Sequence, residues 1–271
     1  MLGVIVPVYN RERYLASALR SLVRQSHDVL MDIVVIDDGS TDGSGDVARA
    51  LIHEAPCIRL FQQANQGVAK ARNTGLEQLL PQTQYVSFLD SDDISPAGRF
   101  KADLAYFADD PGLDLTYSLM NEVDTIDDEA LLPAASCRSV ITRGAYLGAG
   151  IFRRQLVERV GGFDSSLTQA EDIDYLLRVF ESGPRFALPD TVAVYYRHHP
   201  GNMTKQTGVR LRDHLRAIQK SMRRRKADPS LRGIEGIFQI KSPADWRVAR
   251  QAGLDASPEK ADAGTRQGSS R

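Results

Sequence analysis

The chain has 271 residues, of which 42% are hydrophobic and 25% charged, ordinary globular usage that excludes a mostly disordered chain, a coiled coil and a collagen-like fibre. Its 34 Lys and Arg nearly balance 35 Asp and Glu, for a net charge of −1, which argues against a protein that coats nucleic acid with its whole surface. Two cysteines, Cys57 and Cys137, are too few for a disulfide framework or a Cys-based metal site. No apolar run approaches the roughly 18 residues of a membrane helix, and no basic segment precedes the apolar opening. The expected location is therefore cytoplasmic, soluble or peripheral.

Val4, Ile5, Val6 and Val8 form a continuous apolar strand of the kind buried on both faces of a parallel sheet. Asn10 stands where an N-cap belongs, and Leu15, Ala18, Leu19, Leu22 and Val23 follow at helical spacing. The unit then repeats. A strand over 33–36 ends in Asp37-Asp38-Gly39-Ser40, and a helix through Val47 and Leu51 leads to a strand over 58–61. A helix over 67–80 precedes a strand over 85–89, which ends in Asp90-Ser91-Asp92-Asp93. A helix over 96–107 and a strand near 113–117 come next. Alternating strands and helices with short connections predict right-handed crossovers onto a parallel sheet. In such a sheet ligands bind outside the carboxyl ends of the strands, where Tyr9-Asn10, Asp37 to Ser40 and Asp90 to Asp93 all fall.

Residues 109–136 hold eight acidic residues and no Lys or Arg, and read as a solvated insertion or loop. Helical patterns return over 153–160 and 171–180, and 192–196 reads as a late strand. Residues 205–226 hold nine Lys and Arg against the single acid Asp213. From residue 255 on, the composition predicts a disordered tail.

Three carboxylates at one strand end, Asp90, Asp92 and Asp93, either share a hard cation such as Mg²⁺ or Mn²⁺ or form a solvated turn. Asp37 and Asp38 offer acceptors to a base or ribose, while Ser40 to Asp42 suit capping of the next helix. Gly67, Lys70 and Arg72 enter a helix whose N-terminus favours a phosphate, or are simply solvated. Glu171-Asp172 heads a helix, a place acids also occupy for structural reasons alone. His198 and His199 follow the last strand, within reach of a metal or exposed.

In order, Val4-Ile5-Val6-Pro7-Val8-Tyr9-Asn10, Val35-Ile36-Asp37-Asp38-Gly39-Ser40-Thr41-Asp42, Asn65-Gln66-Gly67 with Ala71-Arg72-Asn73-Gly75, Phe88-Leu89-Asp90-Ser91-Asp92-Asp93, Gly161-Gly162-Phe163-Asp164 and Glu171-Asp172-Ile173-Asp174 resemble a family 2 glycosyltransferase over roughly residues 1–204. The resemblance implies the GT-A fold: an α/β, Rossmann-like, mostly parallel sheet flanked by helices, here followed by a C-terminal helical extension. It implies a nucleotide-sugar donor, most often a UDP-sugar, and inverting transfer to a carbohydrate or lipid-linked acceptor in cell-surface polysaccharide or glycoconjugate synthesis.

By the same resemblance Pro7, Tyr9, Asn10 and Asp38 line the nucleoside pocket, and Val8, Gly67, Lys70, Arg72, Asp90 and Ser91 border the donor. Asp90 and Asp92 match the metal-binding motif, with Asp93 and His198 as further candidate ligands, and Asp172 beside Glu171 matches the catalytic base. A nucleotide-binding half over 1–120, an acceptor half over 121–204, a basic helical extension over 205–254 and a tail over 255–271 are the expected divisions. No Gln-x-x-Arg-Trp signature of processive synthases is present, which favours one sugar per encounter. The basic 205–226 segment is a candidate contact with anionic lipid at the inner face of a membrane, or a solvated helix face. No nucleic-acid partner is expected. The competing readings are a sugar-phosphate nucleotidyltransferase, whose glycine-rich Thr-Arg loop is replaced here by Pro7-Val8-Tyr9-Asn10, and a non-catalytic nucleotide-sugar-binding protein.

Overall fold

The computed structural model describes residues 1–202, 207–233, 237–238 and 247–248. The expected tail over 255–271 lies outside the described residues. Strands β1 (Leu2–Val8) and β2 (Met31–Asp37) are buried along their whole length, as apolar strands covered on both faces must be. Helix α1 (Glu12–Val23) follows β1 and α2 (Ser44–Glu54) follows β2. The pattern continues through β3 (Ile58–Gln62), α3 (Val68–Glu77), β4 (Tyr85–Phe88) and α4 (Arg99–Asp109). Then come β5 (Leu115–Tyr117), β6 (Leu119–Val123), the two-stranded hairpin β7 (Ile126–Asp127) with β8 (Leu132–Pro133), β9 (Arg138–Thr142), a short 3₁₀ turn (Leu147–Ala149) and β10 (Gly150–Arg153). Helices α5 (Arg154–Val160) and α6 (Glu171–Glu181), strands β11 (Phe186–Ala187) and β12 (Val192–Arg197), helix α7 (Thr207–Ala227) and β13 (Arg247–Val248) complete the described chain.

The large sheet runs β11-β5-β10-β4-β1-β2-β3. Strands β3, β2, β1 and β4 are mutually parallel, and β10 enters antiparallel between β4 and β5. The chain moves outward from β1 through β2 to β3, then returns to lay β4 on the other side of β1. The switch point thus lies between β1 and β4. Tyr9 to Arg11 and Asp90 to Asp92 emerge on either side of it.

The acidic segment is divided among three sheets: β5 joins the large one, β6 a second sheet of order β12-β6-β9-β13, and β7 pairs with β8. That segment is not a solvated loop: Leu115 to Tyr117 and Asn121 to Val123 are buried. Its acids gather on the β7–β8 rim, where Asp127 and Glu129 are exposed, and strands β9 and β12 cover β6 from both sides. Charge counted along a segment cannot reveal that cover, which arrives from 20 to 70 residues away.

Two local expectations also change. Asn10 has a positive φ of 51° and Arg11 takes the N-cap position of α1. Asn10 instead accepts from the Thr41 N–H at 2.8 Å, while its own N–H donates to Ser40 Oγ at 3.0 Å. Helix α4 begins at Arg99 rather than near 96 because Gly98, at φ 73°, adopts the left-handed conformation just before it.

The core covers the sheet beneath α1 to α4 and also gathers between the sheet and α6. Phe163 stacks on Tyr175 with centroids 4.2 Å apart, and Phe88 meets both edge-on. Each such buried ring contributes about 1.5–3 kcal/mol, enough to fix where the head of α6 sits.

Candidate functional site

The turn after β4 supplies three acids with three different surroundings. Asp90, about one-third exposed, accepts from Arg72 Nη2 at 2.8 Å. Asp92 Oδ2 accepts from Arg11 Nε and from His199 Nε2, each at 2.9 Å. The Gly201 N–H donates to His199 Nδ1 at 3.1 Å, which leaves the ring proton on Nε2, facing Asp92. Burial pushes the Asp92 carboxyl up, and His199 and Arg11 more than offset it, so the group stays below its usual range. Asp93 is fully buried, accepting from Tyr146 Oη at 2.5 Å and from the Arg197 N–H at 2.8 Å. Burial and the charges of Asp92 and Asp90 push its carboxyl well above the ordinary value.

The second half of the site arrives on α6. Its N-cap, Ala170, has φ 65°, and Glu171 and Asp172 open the first turn, where backbone N–H groups and the helix dipole favour negative charge. Glu171 is buried and accepts from Arg72 Nη1. Burial and the neighbouring Asp172 raise its carboxyl to about 7 despite Arg72. Asp172 is raised too, through burial, with Arg72 opposing and Asp90 reinforcing the shift.

Arg72 is thus the joint of the site. Buried on α3 with its guanidinium 5.6 Å from the Phe163 ring, it donates to Asp90 from one nitrogen and to Glu171 from another. Burial alone lowers a guanidinium pKa, but Asp90, Glu171 and Asp172 more than offset it, so Arg72 stays charged. Lys70, two positions earlier and hence on another face of the helix, is exposed and lines a cavity of about 570 Å³ with Gln66, Asn73, Arg154 and Gly162. The structure brings Arg72 to the acids and leaves Lys70 outside them.

At the end of β2, Asp38 accepts from Gln63 Nε2 at 2.7 Å and from the backbone N–H groups of Gln66 at 2.9 Å and Gly67 at 2.8 Å. It therefore shapes the loop between β3 and α3 directly. Gly67 enters α3 at φ 89°, a conformation that favours glycine. Pro7 and Val8 are buried in β1, whereas Tyr9 is 45% exposed at the strand's mouth. Asp42 and Glu12 cap each other's helices, since the Glu12 N–H donates to Asp42 at 3.1 Å and the Gly43 N–H donates to Glu12 at 3.0 Å. A surface cavity of about 400 Å³ opens there, lined by Asn10, Arg11, Tyr14 and Asp42. Ser91, in the turn itself, is buried.

Residues 3–128 match the family described as glycosyl transferase family 2. The chain is similar to family 2 glycosyltransferases over that stretch, just under half of its length. It is 27% identical over 221 residues, 76% of this chain and 63% of the relative, to the uncharacterized glycosyltransferase EpsJ of Bacillus subtilis. It is 38% identical over 107 residues, 39% of this chain and 42% of the relative, to an uncharacterized glycosyltransferase of Haemophilus influenzae. The chain thus spans less than two-thirds of the length of these relatives. Among solved structures, S. aureus TarS 1–349 in complex with UDP-GlcNAc superimposes with a TM-score of 0.66 at 23% identity, covering 81% of this chain and 65% of that one. The mannosyltransferase PcManGT from Pyrobaculum calidifontis, in complex with GDP-Man and Mn²⁺, gives 0.63 at 22% identity, covering 82% and 64%. The domain has the GT-A fold.

The crevice presents a set of oxygen ligands suited to a hard cation. Among the described residues no hydrogen bond falls on Asp90 Oδ2 or Asp92 Oδ1, so each carboxylate keeps one oxygen uncommitted. No three His, Cys, Asp or Glu side chains among them form a cage by themselves. Two carboxylates completed by substrate phosphates is the usual arrangement for magnesium. Both oxygens of Asp93 are taken by protein donors, so Asp93 joins the β4 turn to β12 instead of facing a ligand. His198 donates to Glu122 at 2.9 Å and is turned away, leaving His199 as the histidine that meets Asp92.

Sequence reasoning overlooked Arg11, and it did not separate His199 from His198. Arg11 had one available signal, a cation at the mouth of the first strand opposite an acidic turn. His199 had none: β12 shifts register between Val192 and Val194, so alternation along the strand does not predict which of two adjacent histidines faces inward.

Proposed function

We propose that this protein transfers one sugar, with inversion, from a nucleotide-sugar donor, in the first instance a UDP-sugar, to a hydroxyl of a carbohydrate or lipid-linked acceptor. The observation that carries the reading is the Arg72 bridge, which joins the acidic turn after β4, 18 residues on from Arg72, to the Glu171-Asp172 head of α6, 99 residues on. Donor and acceptor chemistry then share one crevice. Nucleotide-sugar complexes of the GT-A neighbours support the donor class. A 31% identical stretch of 112 residues, 40% of this chain, in the minor teichoic acid biosynthesis protein GgaA of Bacillus subtilis supports a role in cell-surface polymer or glycoconjugate synthesis.

Asp90 and Asp92 would hold Mg²⁺ or Mn²⁺, which would supply neutralisation of the charge that builds on the departing nucleoside diphosphate. Arg11 and His199 keep the Asp92 carboxylate ionised and oriented. Tyr9 and Asn10 border the nucleoside, and Asp38 holds the Gln63 to Gly67 loop that walls it. Asp172 takes the proton from the acceptor hydroxyl on a carboxylate oxygen as the hydroxyl attacks, a contribution of about 10² to 10⁴ in rate. A single base on the acceptor side suffices for one displacement with inversion.

A thermal-shift panel of nucleotide sugars, each with Mn²⁺ and with chelator, tests the reading. One nucleotide class should stabilise the protein, and only with the cation. Equal UDP affinity in Mn²⁺ and in chelator by calorimetry overturns the metal site. Failure of every nucleotide sugar to bind overturns the donor class.

A further inference from the structure

Helix α7 shows two unlike faces. On one, Asp213, Ala217 and Ser221 are buried at four-residue spacing. Asp213 accepts from the Thr168 N–H at 3.2 Å, Thr168 Oγ1 at 2.7 Å and the Gln169 N–H at 3.1 Å, which secures the residues just before the head of α6. Lys220 pairs with Asp164, and Arg224 donates to Asp174 and Glu181. The Arg223 to Lys226 tetrad therefore presents no continuous basic face, because Arg224 is spent on acids of the body.

The opposite face is apolar and open. Leu211, Leu215, Ile218 and Met222 are 63%, 50%, 48% and 60% exposed. Their spacing of i, i+4, i+7 and i+11 aligns them in one stripe. They make up four of the ten large exposed hydrophobics among the described residues, a concentration on one helix that scattered surface residues do not show. At helical spacing Arg212, Arg223 and Lys226 run along one border of the stripe, and all three are exposed, Arg212 while donating from Nε to Asp213 at 3.1 Å. The only acid of the helix, Asp213, points into the body. Among the described residues no helix is long and apolar enough to cross a membrane.

We propose that α7 lies in the interface of an anionic lipid surface, with Leu211, Leu215, Ile218 and Met222 sunk to the acyl boundary and Arg212, Arg223 and Lys226 over lipid phosphates. An apolar stripe bordered by cations with no exposed acid is the composition such a surface selects. A second copy of this helix fits poorly, since like-charged borders would meet with no acid between them. A nucleic-acid backbone gives four apolar side chains nothing to bury against. Because Asp213 braces the entry to α6, a helix resting on lipid holds the acceptor side of the crevice in a fixed orientation to that surface. The contact is independent of the donor chemistry and is read without it.

Flotation of the full chain with vesicles tests this, using phosphatidylcholine alone and phosphatidylcholine with about 30% phosphatidylglycerol. The protein should float with the anionic vesicles and not with the neutral ones. Leu215→Ser combined with Ile218→Ser should weaken partitioning about tenfold or more. Arg223→Glu combined with Lys226→Glu should weaken it similarly, with unchanged melting in both variants. Three results overturn the proposal: no flotation of the wild type, loss on charge reversal alone with the serine variant unaffected, which marks a generic polyanion contact, or a dimer in sedimentation that the serine variant dissociates.

Discussion

The proposed donor side and the proposed acceptor side of the crevice are held together by different means. On the donor side, the polar ends of β1 and β2 are tied to loops of the first 67 residues: Asn10 to Thr41, Glu12 to Gly43, Asp38 to Gln66 and Gly67. Most of these bonds end on backbone N–H groups of βα turns, so the crevice follows from the local geometry of a parallel sheet. On the acceptor side, Glu171 and Asp172 stand at the head of a helix whose position depends on a buried cation 99 residues earlier and on an aspartate of α7 about 40 residues later. One half is built by turns and the other by long-range ion pairs. Nucleotide binding and turnover should accordingly respond to different substitutions.

Asp172→Asn gives the sharpest separation. Transfer should fall by about 10² to 10⁴ while calorimetry finds nucleotide binding intact, and undiminished turnover would remove Asp172 from the chemistry. Arg72→Met should cost stability rather than one function, because it leaves Glu171 buried without its cation and deprives Asp90 of a partner. Loss of one member of a buried ion pair is worth about 3–5 kcal/mol, readable as a lowered denaturation midpoint. A midpoint within experimental error of wild type would mean that Arg72 does not join the two sides.

A paired experiment then compares the regions directly. Asp38→Asn sets an amide N–H against donor N–H groups of the loop and should weaken nucleotide binding, by about 1–3 kcal/mol, with turnover of bound donor little changed. Asp213→Asn should do the reverse, lowering kcat by about tenfold through the Thr168 to Gln169 loop and leaving nucleotide affinity alone. If both variants move the same parameter, the two halves are not independently built.

Burial and Asp172 raise Glu171 to about 7, so the folded protein binds this proton more tightly than the unfolded chain does. The stability it contributes is complete below the ordinary Glu value of about 4.3 and is lost as pH rises through about 7. Wild-type Tm should therefore fall relative to Glu171→Gln between about pH 4.3 and about pH 7 and level off above it, and a constant difference would refute the shift. The smallest effect belongs to a control far from both regions. Lys101→Ala removes an ion pair with Asp28 whose side chains are 70% and 52% exposed, and should change stability by less than about 0.5 kcal/mol.

The strand-and-helix order, the parallel sheet and the delivery of Asn10, Asp38 and Asp90 to one edge were legible in the sequence, because period-two burial and helical spacing are local properties of the chain. The acidic stretch over 109–136 was misread for the complementary reason. Burial of Leu115 to Val123 depends on β9, β10 and β12 arriving to cover it, and composition within a window carries no trace of them. The three acids after β4 looked equivalent in sequence. Their neighbours divide them, since Tyr146 and the Arg197 backbone claim Asp93, whereas Arg11 and His199 hold Asp92 by one oxygen.

By itself, then, the order of residues determined which segments become strands and helices, that their carboxyl ends share an edge, and which residue types stand there. Only the tertiary structure decided which carboxylates keep an open oxygen, which histidine turns inward, and that Lys220 and Arg224 on α7 face acids of the body while its apolar stripe faces outward. The physical reason is range. Backbone propensity and hydrophobic period act over a few residues, whereas desolvation and ion pairing depend on what lies within a few ångströms in space, and here those neighbours come from up to 107 positions away.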